Sequence, residues 1–313
     1  MSLIPLVAVV GPTASGKTKL AIDIALKYGG EVVSADSMQI YKGMDIGTAK
    51  PDKAEMRGVP HHLIDFLDVG TDYSVAQFVK DAHAAIQDIH SRGKLPVVAG
   101  GTGLYIDSLL NNIKFDETVR DDKLRADLEK LAAEKGGEAL LKMLESFDPE
   151  TASTLHPNNI KRIIRAIEVY KTTGKTMTEM RKRSRQSPQI YKTCFIGLNF
   201  KDRAELYRRV EMRVDLMMER GLEKEVRTLL ENGADMDSTA MQAIGYKEIA
   251  EAISKGESMA EAAEKIKLAT RHYAKRQLTW FRRNKQINWI EASEPYEKIC
   301  QAAFEIIDKS GIL

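Results

Sequence analysis

Only two cysteines occur in the 313 residues, Cys194 and Cys300, and they form no short motif. That scarcity excludes a disulfide framework and a cysteine-based metal site, so a reduced, intracellular protein is expected. The histidines add no metal signal, because His61, His62, His156 and His272 show no ligand spacing among themselves. No apolar run approaches membrane length. The longest N-terminal one, residues 3–10, is too short to span a bilayer, and no basic n-region precedes it. A soluble, cytoplasmic protein without membrane partners is the expectation. There is no internal repeat and no low-complexity tract. Net charge is only +2, yet the charges are unevenly spread. What is present in quantity is apolar residue, 43% of the chain, enough for one large or two medium domains with real cores.

The most specific stretch is Gly11-Pro12-Thr13-Ala14-Ser15-Gly16-Lys17-Thr18, which fits G-x-x-x-x-G-K-[ST], the P-loop. It follows the apolar run Leu6–Val10 and precedes the amphipathic run Leu20–Leu26, so its context is strand, tight turn, helix. Gly11 and Gly16 let the backbone curl until its N–H groups face an anion. The helix starting near Lys17 adds its positive end. Lys17 supplies a mobile cation, and the Thr18 hydroxyl is placed to hold Mg²⁺. The loop therefore binds a di- or triphosphate without specifying which.

Short β-rich runs at 6–10, 31–34, 63–69 and 95–99 alternate with helical patterns, which predicts βαβ units around a parallel sheet. Ligands gather at the carboxyl edge of such sheets. From about Phe115 to Ile190 the pattern becomes charged and helix-periodic without a convincing strand, so an all-helical insertion is predicted over 115–190, with 184–188 as its exit linker. The α/β core then comprises 1–114 and 191–313. Its second part holds a strand at 193–198, helices near 202–219, 221–232 and 258–283, a last strand at 287–290 and a terminal helix at 295–310.

Asp36 follows the second strand, which we place beside the P-loop strand. A carboxylate there can hold Mg²⁺ through water or accept a proton from a nucleophile. It can equally serve as a turn residue. The loop Gly100-Gly101-Thr102-Gly103 permits close backbone approach to a ligand, or is a plain strand-to-helix turn. Arg209 and Arg213, spaced i, i+4, share a helix face. They either clamp a leaving phosphate or pair with Glu205 and Glu211. Cations cluster at Lys161, Arg162 and Arg165, at 181–185, and through 271–285, where Tyr273 and Trp280 are interleaved. Cations neutralise phosphates and aromatic faces stack on bases, so three such runs in a chain of near-zero net charge favour a segregated RNA-binding surface over solvated helix faces. The histidines read as structural or RNA-contacting.

These blocks together resemble the bacterial tRNA dimethylallyltransferase (isopentenyltransferase) family. The matching stretches are G-P-T-A-S-G-K-T at 11–18, A-D-S-M-Q-I-Y-K-G-M-D-I-G-T-A-K-P at 35–51, P-H-H-L-I-D at 60–65 and G-G-T-G-L-Y at 100–105. Others are H-P-N-N-I-K-R at 156–162, R-V-E-M-R at 209–213, A-I-G-Y-K-E at 243–248 and A-K-R-Q-L-T-W-F-R at 274–282. The resemblance spans essentially the whole chain. It implies a P-loop NTPase-like parallel sheet flanked by helices, and a transfer rather than an ATP-driven reaction. Dimethylallyl diphosphate would donate its prenyl group to N6 of the adenosine immediately 3′ of the anticodon, with Mg²⁺ as cofactor. By the resemblance Asp36 is the catalytic base, Thr13 helps to position the reacting groups, and Arg213 joins the P-loop in holding the diphosphate. The tRNA-contacting positions it implies are Asp36, Ser37, Met38, Gln39, Thr102, Arg125, Lys161, Arg162, Arg165, Gln242, Lys247, Lys275, Arg276, Gln277, Trp280 and Arg282. The insertion would grip the anticodon stem-loop, and a monomer is expected. An adenylate prenyltransferase or P-loop small-molecule kinase gives 271–285 no task. A non-catalytic, NTP-switched RNA binder gives Asp36 none.

Overall fold

The computed structural model describes residues 3–115, 121–184 and 187–313. The chain opens with strand β1 (Ile4–Val10), whose residues from Leu6 onward are fully enclosed, as an apolar run covered on both faces requires. The P-loop leads into α1 (Lys17–Tyr28), which ends at Gly29 in the left-handed conformation. Next come β2 (Gly30–Ser34), α2 (Lys53–Met56), β3 (His61–His62), α3 (Val75–Ser91), β4 (Leu95–Gly100) and α4 (Gly103–Leu110). A helical stretch follows with α5 (Asp122–Lys135), α6 (Gly137–Glu145), α7 (Pro149–Ala152), α8 (Ile160–Thr173) and α9 (Met177–Ser184). The chain then runs through β5 (Tyr191–Asn199), α10 (Arg203–Glu219), α11 (Leu222–Glu231), α12 (Tyr246–Lys255), α13 (Met259–Phe281), β6 (Asn288–Glu291) and α14 (Tyr296–Ser310).

The strands form one parallel sheet in the order β3-β2-β4-β1-β5-β6. Alternation along β1 sends Val7 and Val9 to one face, packed with α1, α10 and α14, and Leu6, Ala8 and Val10 to the other, packed with α3 and α4. Two departures from the sequence-based expectation matter. The strand before Asp36, β2, does not adjoin β1: β4 lies between them, so Asp36 and the P-loop stand two strands apart along the carboxyl edge. Residues 63–69 are not a strand. Leu63 and Asp65 adopt positive φ (57° and 55°), which breaks the extended run, and only Leu67 makes a bridge, to Tyr41. Helix α12 was also absent from that reading.

Two compact units result, Met1–Leu110 with Ile190–Leu313, and Asn111–Gln189. The first carries the sheet and a further core in which Ile40, Tyr41 and Met44 pack with Val214, Met217, Tyr246 and Ile266. The second holds helices and no strand among its described residues, packed around Leu128, Leu140, Leu144, Ile163 and Ile167. Within it Glu168 is wholly buried and accepts from the Asp121 amide (3.0 Å), from Arg125 Nε and Nη2 (2.7 and 2.8 Å) and from Arg165 Nη1 (2.6 Å). Burial pushes this carboxyl up, and the hydrogen bonds outweigh it, holding the pKa at about 2. Because that value is depressed, the stabilisation is present above the free carboxyl's range and is lost as pH falls toward 2. Glu168→Gln is expected to cost about 1.5–3 kcal/mol, since both arginines are partly exposed and can turn to water. Urea unfolding measures this, and an unchanged midpoint would show that the cluster contributes nothing to stability.

Candidate active site

Three loops leave the carboxyl ends of β1, β2 and β4 and converge. In the P-loop Gly11 has φ 155° and its Cα faces the Leu198 carbonyl, where a Cβ would come within 3.0 Å. Gly16 caps α1 at φ 85°, a left-handed conformation that glycine adopts without strain. Ala14 also lies in that region at φ 61°. Pro12 is buried and Ser15 is nearly so, its hydroxyl unpaired. Lys17 is the first residue of α1. Its Nζ makes only a long contact to the Pro12 carbonyl (3.4 Å), with no carboxylate at ion-pair distance among the described residues.

Arg213, reaching in from α10, is in the same condition. Its Nη2 touches the Thr48 carbonyl at 3.4 Å and makes no ion pair among the described residues. Elsewhere this chain pairs its cations freely: Arg209, one turn earlier, is bound to Glu205 (2.8 Å). The proposed clamp thus reduces to Arg213. Burial and the Arg213 charge push the Lys17 amine down to about 8, with Asp36 opposing. Burial likewise lowers Arg213. Two half-buried cations that repel one another leave a place that an anion would fill.

A cavity of about 350 Å³ opens from these groups. Its lining includes Thr13, Lys17, Thr18, Arg213, Asp36, Ser37, Met38, Gln39, Gln242, Arg276 and Gln277. On its apolar side are Val214, Met217 and Ile266. Lys17, Thr18 and Arg213 also line a second cavity of about 420 Å³ toward Pro51 and Arg57. Asp36 Oδ1 accepts from the Met38 amide (2.9 Å) and the Gln39 amide (3.4 Å). Its other oxygen has no partner among the described residues, so the carboxylate is oriented by one atom and available at the other. Burial and the Asp36 charge push the Tyr273 hydroxyl up to about 12, so it stays protonated.

Several expected RNA contacts turn out to be internal. Gln277 is buried: its Oε1 accepts from the Thr13 amide (2.8 Å) and its Nε2 donates to the Gly101 carbonyl (3.0 Å). It ties the P-loop to the β4 loop, so each amide atom already has a partner within the protein. Gln39 is buried with its Nε2 on the Thr48 and Ala49 carbonyls (both 3.2 Å). Trp280 donates to Asp107 (2.6 Å) and packs where any Cβ at Gly103 would stand. Arg125 is committed to Glu168. Thr102 Oγ1 accepts from the Ser37 amide (3.3 Å), bracing the Asp36 loop rather than standing clear of it. Gln242 is exposed, with Nε2 on the Met236 carbonyl (2.8 Å), and Lys247 lies 3.8 Å from Glu251.

By contrast Lys275 and Arg276 are exposed on α13, and neither has a carboxylate at ion-pair distance among the described residues. Arg282 is exposed beside Asn199 (3.3 Å). In the helical unit Lys161 and Arg162 are exposed, while Arg165 turns to Glu168. Arg185 and the rest of the linker at 185–186 lie outside the described residues, as do 116–120 of the predicted insertion. Sequence reasoning gave no role to Glu225, Tyr246 or Gly47, which shape the cavity wall. Tyr246 and Gly47 had a signal only in the matching blocks 243–248 and 35–51, and Glu225 had none.

A model of the IPP transferase family matches residues 39–284. The chain belongs to the IPP transferase family. A protein named tRNA dimethylallyltransferase from Acetivibrio thermocellus is 51% identical over 286 residues, 91% of each chain. One from Thermoanaerobacter sp. is 49% identical over 300 residues, 95% of each. Among solved structures, the tRNA isopentenylpyrophosphate transferase of Bacillus halodurans is 41% identical with TM-score 0.74, covering 98% of this chain and 96% of its own. A eukaryotic dimethylallyltransferase described as acting on tRNA gives TM-score 0.81 at 29% identity, over 98% of this chain and 80% of its own. The sheet is accordingly of the P-loop NTPase-like, α/β class expected. The family match begins at Gln39, after the P-loop and Asp36, so the roles of those residues rest on the geometry above. No described helix is long and apolar enough to cross a membrane.

Proposed function

We propose that this chain transfers a dimethylallyl group from dimethylallyl diphosphate to N6 of the adenosine 3′ of the tRNA anticodon, releasing diphosphate. The observation that carries the reading is that Lys17 and Arg213, neither with a carboxylate partner among the described residues, line one cavity with a carboxylate whose second oxygen has no partner among them. The diphosphate sits against Lys17, Arg213 and the turn at Gly16, where the N-terminal end of α1 adds positive potential. The Thr13 amide is already bonded to Gln277, so the charge that develops on departure is met by the two side chains and the remaining P-loop amides. The target base must leave its stack to enter a cavity of this size. Its exocyclic nitrogen is a weak nucleophile, because the lone pair is delocalised into the ring. Asp36 hydrogen-bonds N6 and takes its proton as the nitrogen attacks the allylic carbon. Thr13 borders the same space and helps to position the reacting groups.

No group of three or more metal-binding side chains occurs among the described residues. Thr18 nevertheless offers an oxygen donor to the cavity beside Lys17, which suits Mg²⁺ held chiefly by a diphosphate. Bound there, the ion would neutralise charge on the leaving group. The exposed Lys275 and Arg276, with Lys161 and Arg162, contact tRNA phosphates.

Radiolabel from dimethylallyl diphosphate is expected to reach an unmodified anticodon stem-loop, with AMP and ATP as poor acceptors. Label on the free nucleotides would move the chain to the adenylate prenyltransferase branch. Binding of tRNA without any transfer would leave an RNA binder. Removing Lys275 or Arg276 should weaken tRNA affinity across sequences and reduce the salt slope by roughly one counterion each. An unchanged slope would take α13 off the RNA.

A further inference from the structure

Residues 37–50 have no strand or helix to fix them, yet Gly47, Thr48 and Ala49 form a wall of the main cavity. Gln39 holds the Thr48 and Ala49 carbonyls from within the segment, and Glu225 holds the preceding amides from outside it. Glu225, on α11, accepts from three successive amides: Asp45 (3.1 Å) and Ile46 (2.8 Å) on Oε2, and Gly47 (3.2 Å) on Oε1. Consecutive N–H groups turned to one point make the concavity that usually receives an anion. Here the chain fills it with its own carboxylate. The Tyr246 hydroxyl donates to the same Oε1 at 2.5 Å. Its ring is fully buried against Gly47, where a Cβ would come within 2.5 Å of Cε2. The loop is therefore gripped through its amides and at Gly47, which has no side chain to stand in the way. What it then presents is the Thr48 carbonyl, the contact of Arg213 Nη2 (3.4 Å) and of Gln39 Nε2 (3.2 Å).

We propose that Glu225 is a positioning residue for Arg213, setting through loop 45–49 the place where the guanidinium meets the diphosphate. The inference rests on the diphosphate reading of the site. Glu225 lines none of the cavity, so it acts through the loop and not on the substrate.

Glu225→Gln keeps the volume and turns one acceptor into a donor facing N–H groups. It is expected to raise KM for dimethylallyl diphosphate about tenfold, the equivalent of one charge-assisted hydrogen bond, with kcat and tRNA affinity within about twofold. In the Arg213→Ala background the same change should have no further effect on KM. A merely structural role would move KM, kcat and tRNA affinity together and add in the double variant, which overturns the proposal. Tyr246→Phe removes one of the four donors while keeping the ring on Gly47. It should give a smaller rise of KM in the same pattern, and it carries the test if Glu225→Gln does not fold. Isothermal titration with dimethylallyl diphosphate separates the two levels. Failure of the unsubstituted protein to bind it defeats the diphosphate reading. Normal binding by that protein and equally by both variants defeats the positioning role alone.

Discussion

Asp36→Asn is expected to slow prenyl transfer by roughly 10²–10⁴-fold while leaving tRNA affinity within a few-fold, the usual scale for removing a general base. Asparagine is the informative substitution because the two carboxylate oxygens do different things. Oδ1 caps the turn through the Met38 and Gln39 amides, and an amide oxygen can keep those bonds. The other oxygen, unpartnered among the described residues, is the proposed proton acceptor, and asparagine replaces it with a donor. Asp36→Ala removes both and should add a loss of order in residues 37–39. A single-turnover assay at saturating tRNA, beside filter binding, resolves the two effects. If Asp36→Asn transfers at the normal rate, the carboxylate only shapes the turn. Equal losses of rate and tRNA affinity would make it a binding residue.

The parts of the fold that could be read from sequence are those set by local pattern. The run at 6–10 is apolar throughout, the P-loop has fixed glycines, and the shift to a charged helical period after Asn112 needs no knowledge of partners. The two departures came from tertiary context. Strand order depends on which crossover packs where, so nothing in β2 itself told that β4 would intervene between it and β1. At 63–69 the composition is strand-like, but left-handed residues at Leu63 and Asp65 bend the chain. The candidate site divides the same way. Lys17, Thr18, Asp36 and Arg213 were legible because a motif or a resemblance named them. Gln277 and Gln39 were legible as polar residues in the right segments, but not in their task. A glutamine on a basic, aromatic helix suggests a nucleotide contact, and only the fold reveals that Gln277 faces the P-loop. Glu225 could not be found at all, since a glutamate on a charged helix looks like any solvated one until three amides from 180 residues earlier converge on it.

Binding of the prenyl diphosphate is expected to weaken as pH rises through about 8, the value to which burial and the neighbouring Arg213 push the Lys17 amine. The sign follows from which form the anion needs. In the free protein, desolvation disfavours the ammonium, so above this pH Lys17 is increasingly neutral. A diphosphate beside Nζ favours the ammonium and raises the pKa, so binding at alkaline pH takes up a proton. Affinity should therefore fall about tenfold per pH unit once pH exceeds the free-state value, until it reaches the bound-state one. Below that range Lys17 is already charged and adds no pH dependence. Lys17→Arg supplies the control, because a guanidinium keeps its charge across this range. It should bind less well at neutral pH, from altered geometry, and lose the alkaline limb. Lys17→Ala should lose the limb too, and with it about 10²–10³-fold of the transfer rate, the scale seen on removing a group that stabilises transition-state charge. Titration calorimetry with dimethylallyl diphosphate in two buffers of different ionisation enthalpy counts the protons directly. Flat affinity to about pH 10, with no proton uptake, would show that Lys17 keeps its charge in the free protein. An alkaline limb that persists in Lys17→Arg would assign it to another group. A limb that is present in the unsubstituted protein and absent from Lys17→Arg links the Lys17 ammonium to the anion that the cavity is proposed to hold.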